Sequence, residues 1–224
     1  MILVGHVVKE RDEGAMVFVP YPPDQRSPTD CHDTVAVEFV DKRRISTQQR
    51  KKAYVLISYI AAWWGYTPVE AMKEMLKLMF AGEAETLRRS FSLSNCDMTT
   101  ARLFITYLID FCILHGVDVG EPLYQLSEDI PRYVWACLMN KRCAVCGRKA
   151  ELHHCNGSVV GMGRNRKEIC HIGMWALPLC REHHTEIHRI GQKDFLRRYI
   201  LEPVRIDERI AKVYRLNRNP RKNS

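Results

Sequence analysis

Four residues in the last third of the chain have the types and spacing of a zinc site. Cys143 and Cys146 form a Cys-x2-Cys pair, and Cys180 and His183 form a Cys-x2-His pair. Each pair places two ligands on one tight turn, and a Cys3His set makes a closed tetrahedral site. Gly147 follows the first pair with a backbone that turns sharply at low cost. The spacing predicts structural Zn²⁺ here, with buried free thiols as the alternative.

Four further histidines overlap this pattern and predict a second metal site. His184 and His188 are four residues apart, so on a helix their imidazoles lie on one face. His153 supplies a third ligand and leaves coordination positions open, as catalytic sites require. On a strand, His154 points away from His153 and can act beside the metal as a general base. A catalytic divalent metal (Mg²⁺, Mn²⁺ or Zn²⁺) with such a base suits hydrolysis of a phosphodiester bond.

The charge of the chain is unevenly distributed. Its 224 residues carry a formal net charge of +8. Residues 1–129 contain 14 Lys and Arg against 18 Asp and Glu, a balance of −4, whereas residues 130–224 contain 20 against 8, a balance of +12. This asymmetry predicts a nucleic-acid surface in the C-terminal part, with a solvated basic face as the alternative. The expected DNA contacts are Arg164, Arg166, Lys167, Arg181 and Arg189, with Arg43, Arg44, Arg50 and Lys51 in the N-terminal part.

The composition is that of a globular protein and argues against several other classes. Hydrophobic residues make up 46% and charged residues 27% of the chain, which excludes disorder over the whole length. No stretch approaches ~20 uninterrupted apolar residues, and the segment Met1–Val8 lacks the basic start of a signal peptide. We therefore expect no membrane partner, a cytoplasmic location and reduced thiols.

Hydrophobic periodicity predicts an α+β fold, with a small antiparallel sheet and helices preceding the Cys/His region. The predicted strands are 1–9, 15–19 and 33–40. The predicted helices run from 46 or 47 to 65, from 67 to 79, from 99 to 115 and from 131 to 140. We expect an N-terminal domain over 1–125, a zinc-stabilised domain over 126–214 and a disordered basic tail over 215–224.

The order of ligands over residues 141–200 resembles the HNH nucleases. The run 161–167, followed by 171–174 and 177–184, is similar to the HNH nucleases encoded by phages. The resemblance implies a ββα-metal fold, in which a β-hairpin and a helix surround one divalent ion. By that likeness His154 is the general base, His153, His184 and His188 hold the catalytic metal, and Cys143, Cys146, Cys180 and His183 hold structural zinc.

One position departs from this family pattern. The family's middle Asn, which orients the hairpin and the base, usually lies nine residues before the first helical His. That position is Trp175 here, and Trp cannot form the same hydrogen bonds. His171, four residues earlier, is the candidate catalytic substitute. The alternatives are a contact to the metal or to phosphate, and a solvated loop histidine.

The N-terminal part is similar to the lambda NinB (Orf) recombination proteins over about residues 35–120. The likeness rests on the stretches 44–51 and 91–94, the Trp63-Trp64 pair and the helix 98–115. It implies that residues 1–125 form a DNA-binding and dimerisation domain, which binds single-stranded or branched DNA as a homodimer. It also implies a host single-strand-binding protein as a partner. Trp63 and Trp64 stack on bases in that interpretation, with core packing or a dimer contact as the alternatives.

Together these patterns predict a metal-dependent DNA endonuclease that acts on single-stranded or branched DNA in phage recombination or replication, in the cytoplasm of the bacterial host. A second hypothesis is a non-catalytic single-strand DNA-binding mediator whose zinc module is structural. A third is a nuclease directed at RNA. Retained DNA binding without cleavage distinguishes the second hypothesis from the first.

Overall fold

The protein has an α+β fold, as the hydrophobic pattern predicted. A computed structural model describes residues 6–11, 14–20, 41–83, 91–155 and 169–216. The strand predicted at 33–40, the predicted DNA contacts Arg164, Arg166 and Lys167, and residues 217–224 of the predicted tail lie outside the described residues. Within the described ranges there are two small antiparallel sheets and eight helices.

The elements of the N-terminal part are a hairpin and a group of helices. The hairpin consists of β1 (His6–Arg11) and β2 (Gly14–Phe18). The helices are α1 (Thr47–Trp63), α2 (Val69–Glu83), α3 (Met98–His115) and α4 (Leu123–Leu126), and they are followed by the connecting helix α5 (Ile130–Met139).

The elements of the C-terminal part form a three-stranded sheet flanked by short helices. They are β3 (Glu151–His154), β4 (Trp175–Leu179), α6 (Arg181–Ile190), α7 (Gln192–Tyr199), β5 (Val204–Arg205) and α8 (Glu208–Val213). The strand order is β3-β4-β5, and both pairs are antiparallel. The prediction missed α4, α7, β5 and α8, because two to eight residues are too few to show a clear period.

Side-chain caps fix the starts of the two long helices that pack together in the N-terminal part. At α1, the Ser46 hydroxyl accepts a hydrogen bond from the Gln49 backbone, and the Gln49 side chain accepts one from the Ser46 backbone, both at 3.1 Å. This reciprocal pair satisfies two backbone donors that a helix start leaves without partners. At α3, Asp97 accepts from the Thr100 backbone at 2.8 Å.

Helix α3 is long and apolar. By length and composition alone this helix could cross a membrane, but buried core helices of soluble proteins have the same length and composition. Half of this helix is buried within the protein, where it contacts α1, α2 and α5. Gly116 ends it in the left-handed conformation, at φ 70°.

Helix α5 connects the two parts of the chain. It packs on α3 from one side and contacts β4, β5 and α8 from the other. The Trp135 indole N–H donates to Asp207 at 2.8 Å, and the Tyr133 hydroxyl donates to the Ala144 carbonyl at 2.8 Å. Buried apolar side chains between Ile45 and Ala211 form one cluster that includes both parts. The domain boundary at 125 stays a prediction.

Candidate active site

The four predicted zinc ligands lie close together where the turn after α5 meets the start of α6. Cys180 is the N-cap residue of α6, and His183 lies in the first turn of that helix. The Cys146 and Cys180 sulfurs are 3.7 Å apart, and His183 Nδ1 lies 3.2 Å from Cys180 Sγ and 3.5 Å from Cys143 Sγ. Tetrahedral bonds of about 2.3 Å to zinc give ligand separations of about 3.8 Å. The Cys3His cluster therefore fits a zinc ion.

Arg148 is a neighbour of this cluster that the sequence analysis missed. Its guanidinium donates to Cys146 Sγ at 3.3 Å and to Cys180 Sγ at 3.8 Å, and it forms an ion pair with Glu182. Burial raises the pKa of the Cys146 thiol, but hydrogen bonds from Arg148 and the neighbouring thiols outweigh it and leave this pKa lowered. Arg148 therefore favours the thiolate form that binds zinc.

The three predicted catalytic ligands form a second cluster on β3 and α6. The ring centroids of His153 and His184 are 4.8 Å apart, and that of His188 lies 5.2 Å and 5.1 Å from them. The ligand nitrogens all lie within 4.8 Å of one another. His184 and His188 share one face of α6, as their spacing predicted. Each of the three residues in this cluster offers an imidazole nitrogen as its ligand atom for a metal.

Two of the three histidines in this cluster, His153 and His184, have environments that favour the neutral ring. Burial, together with His184 and His188, lowers the pKa of His153 to about 4. Burial and then His188 also lower the pKa of His184. A neutral imidazole has a lone pair available for a metal, so these two residues are ready to bind one at neutral pH. The cluster fits a divalent ion, and a set of imidazoles suits Zn²⁺ and similar transition metals better than Mg²⁺.

The predicted base lies next to the predicted substitute for the family's Asn. His154 follows His153 on β3, so strand geometry places it on the opposite face, where it is half-buried. Its Nε2 lies 3.0 Å from Nδ1 of His171, whose side chain is buried, although 17 residues separate the two in sequence. The structure therefore brings His154 and His171 together.

Trp175 occupies the position of the family's Asn and has different contacts. It begins β4, and the Arg205 guanidinium lies over its ring at 4.5 Å from the centroid. Trp175 pairs with Arg205 in the sheet, and its carbonyl accepts a hydrogen bond from the Cys155 N–H at 2.8 Å. Trp175 thus joins the hairpin to β5.

The predicted DNA contacts differ in what their side chains touch. Arg181 and Arg189 are exposed on α6, and Lys51 is exposed on α1. Arg43 is exposed but forms an ion pair with Asp41. Arg44 donates to the Asn95 carbonyl at 2.5 Å, and Arg50 donates to the Ser94 carbonyl at 2.7 Å. Arg44 and Arg50 therefore hold the turn before α3, a structural role that the sequence analysis did not assign.

The fold and the two clusters define the class of this protein. A β-hairpin and a helix, with a Cys3His cluster and a three-histidine cluster beside them, are consistent with an HNH domain. A family model described as "Putative HNHc nuclease" matches residues 29–217, most of the chain. The chain belongs to this family. Searches of curated proteins and of solved structures gave no match. The phage origin and the NinB likeness stay predictions.

Proposed function

We propose that this protein is a metal-dependent endonuclease that hydrolyses phosphodiester bonds in DNA. The observation that carries the proposal is the position of His154, one residue along β3 from a cluster of three imidazoles that could hold a metal. A general base beside an open divalent metal site is the arrangement that phosphodiester hydrolysis needs. The family of the chain supports nuclease activity.

Each group has a separate task in this proposal. His154 accepts the proton of the attacking water. His153, His184 and His188 would hold the divalent metal, which when bound supplies a Lewis acid that stabilises the leaving oxygen. The Cys3His cluster would hold Zn²⁺ and fix the start of α6, and with it the positions of His184 and His188. Arg181 and Arg189, exposed on the same helix, neutralise phosphates that flank the cleaved bond.

The substrate and the assembly are further parts of the proposal. We propose single-stranded or branched DNA as substrate, in phage recombination or replication within the bacterial cytoplasm. We also propose a homodimer and a host single-strand-binding protein as partner. The NinB likeness supports these proposals, and the +12 balance of residues 130–224 supports nucleic-acid binding.

The direct test is cleavage of plasmid, single-stranded circular and branched DNA with Mg²⁺, Mn²⁺ or Zn²⁺. We expect His154→Ala to lower the cleavage rate by about 100-fold or more, the usual contribution of a general base. DNA affinity stays unchanged, because His154 carries no phosphate contact in the proposal. The matched control is His115→Ala, a histidine at the end of α3 outside both clusters.

Three results would contradict the proposal in different ways. Equal cleavage by wild type and His154→Ala would remove His154 as the base. A wild-type protein that binds DNA without cleaving it with any of the three metals would favour the non-catalytic mediator. Cleavage of RNA but not DNA of the same sequence would favour the RNA-directed nuclease.

A further inference from the structure

We propose that His171 is a positioning residue that orients His154, taking over the task of the Asn that Trp175 replaces. The inference rests on the proposed function, because it concerns the orientation of the proposed base. Its first support is distance and burial. His171 Nδ1 lies 3.0 Å from His154 Nε2, and the His171 side chain is only 2% exposed.

The surroundings of His171 argue against the other roles considered from the sequence. Only His153, His184 and His188 form the three-histidine cluster among the described residues, and His171 does not belong to it. A side chain that is 98% buried is also poorly placed for contact with a phosphate. The geometry shows a hydrogen bond between His171 and the neighbouring His154.

The backbone around His171 is held firmly by the segment that includes β5. Gly173 N–H donates to the Ile206 carbonyl at 2.9 Å, and Ile206 N–H donates to the Met174 carbonyl at 2.8 Å. Arg205 donates to the Gly173 carbonyl at 3.0 Å, and it also covers the Trp175 ring. Gly173 takes the left-handed conformation, at φ 83°, that this turn requires. Residues 205 and 206 therefore fix the turn that carries His171.

The hydrogen bond also determines which nitrogen of His154 acts as the base. When His154 Nε2–H donates to His171 Nδ1, the lone pair of His154 lies on Nδ1. The opposite direction would place the proton on His154 Nδ1 and remove that lone pair. We infer that His171 accepts this hydrogen bond and so holds His154 in the productive tautomer. Mutation of a residue that positions a metal ligand or a base in this way lowers activity by about 10- to 100-fold.

The first test measures the hydrogen bond itself and does not depend on cleavage. In zinc-loaded, full-length protein with ¹⁵N-labelled histidine rings, long-range ¹H–¹⁵N spectra identify the tautomer of each ring. We expect His154 as the Nε2–H tautomer in wild type, and a mixture of tautomers in His171→Ala. A His154 spectrum that is unchanged by His171→Ala would overturn the inference.

The second test separates positioning from folding by kinetics. His171→Ala is expected to lower kcat by about 10- to 100-fold and to leave KM within about twofold. His171→Asn is expected to restore most of kcat, because the Asn side-chain oxygen can accept a hydrogen bond near the Nδ1 position. Met174→Ala, in the same turn, is the control for loosened packing. Wild-type kcat in His171→Ala, or equal losses in the Ala and Asn variants, would overturn the inference.

The two tests also separate this inference from the proposed function. A wild-type protein without cleavage would contradict the proposed function. The tautomer of His154 and its response to His171→Ala would still decide whether His171 orients His154.

Discussion

Sequence spacing predicts some contacts between residues of the candidate site but not others. Cys143 and Cys146, or His184 and His188, lie within one turn of chain, so their spacing alone predicts that each pair shares a site. The contact between His154 and His171 spans 17 residues, and it depends on a turn that β5 holds. Sequence could therefore propose His171 as a substitute for Asn, but only the fold shows which atom it meets.

The spacing of the zinc ligands does not predict the contacts of Arg148 with their sulfurs. It lies two residues after Cys146, yet an Arg beside a zinc turn has no distinctive pattern, and its partners Cys180 and Glu182 are more than 30 residues away. The sequence feature that could have pointed to Arg148 is its position as a cation next to the Cys-x2-Cys pair. Its contact with two sulfurs follows from where α6 begins.

The separation of the two clusters predicts that their metals can be removed independently. We expect purified protein to contain about one tightly held zinc per chain, and Cys146→Ser to lose it together with much of the folded structure. His188→Ala should keep that zinc, because the Cys3His cluster does not include His188. Inductively coupled plasma mass spectrometry with circular dichroism measures both. Loss of zinc in His188→Ala but not in Cys146→Ser would reverse the assignment of the two clusters.

At the scale of elements, length decides what the sequence predicts. The helix predicted over 99–115 is α3 (Met98–His115), and the one over 131–140 is α5 (Ile130–Met139), because each shows several turns of apolar period. Strand β5 has two residues and no period, but it completes the sheet that positions the candidate site. Such a short strand is determined by the strand with which it pairs and not by a pattern in its own sequence.

Helix α1 carries two adjacent cations with opposite expected effects. Arg50 donates to the Ser94 carbonyl, so Arg50→Ala should lower the free energy of unfolding by about 1–2 kcal/mol. Lys51 is exposed, so Lys51→Ala should leave stability within about 0.5 kcal/mol and weaken DNA binding if this helix contacts phosphate. Urea unfolding and fluorescence anisotropy with labelled DNA measure the two effects. Equal stability of both variants would contradict the structural role of Arg50.

At the scale of the whole molecule, the charge asymmetry predicts a salt-dependent DNA affinity. Each phosphate contact contributes about 0.9 to the slope of log K against log salt concentration on duplex DNA. Removing both Arg181 and Arg189 should therefore reduce that slope by about 2. The matched control is the double variant of Arg197 and Arg198, which already form ion pairs with Asp194 and Glu186. An equal change of slope in both double variants would assign the effect to net charge rather than to the face of α6.

Charge and composition predicted two regions, but they could not predict how the regions meet. The balance changes sign near residue 130, and the ligands begin at Cys143. In the structure, α5 lies at this change and buries apolar side chains against both parts. An amphipathic pattern predicts a buried face but does not identify the two surfaces that cover it.

The place of α5 between the two parts has a consequence for dividing the chain. A fragment that ends at residue 125 leaves the α5-facing side of α3 uncovered, and a fragment that begins at 126 leaves the matching side of α5 in water. Each piece alone would expose apolar surface and tend to aggregate. Produced together, the pieces have complementary surfaces through which they can reassemble. The contact between α3 and α5 is thus the surface through which two halves of the protein would reassociate to rebuild the complete molecule.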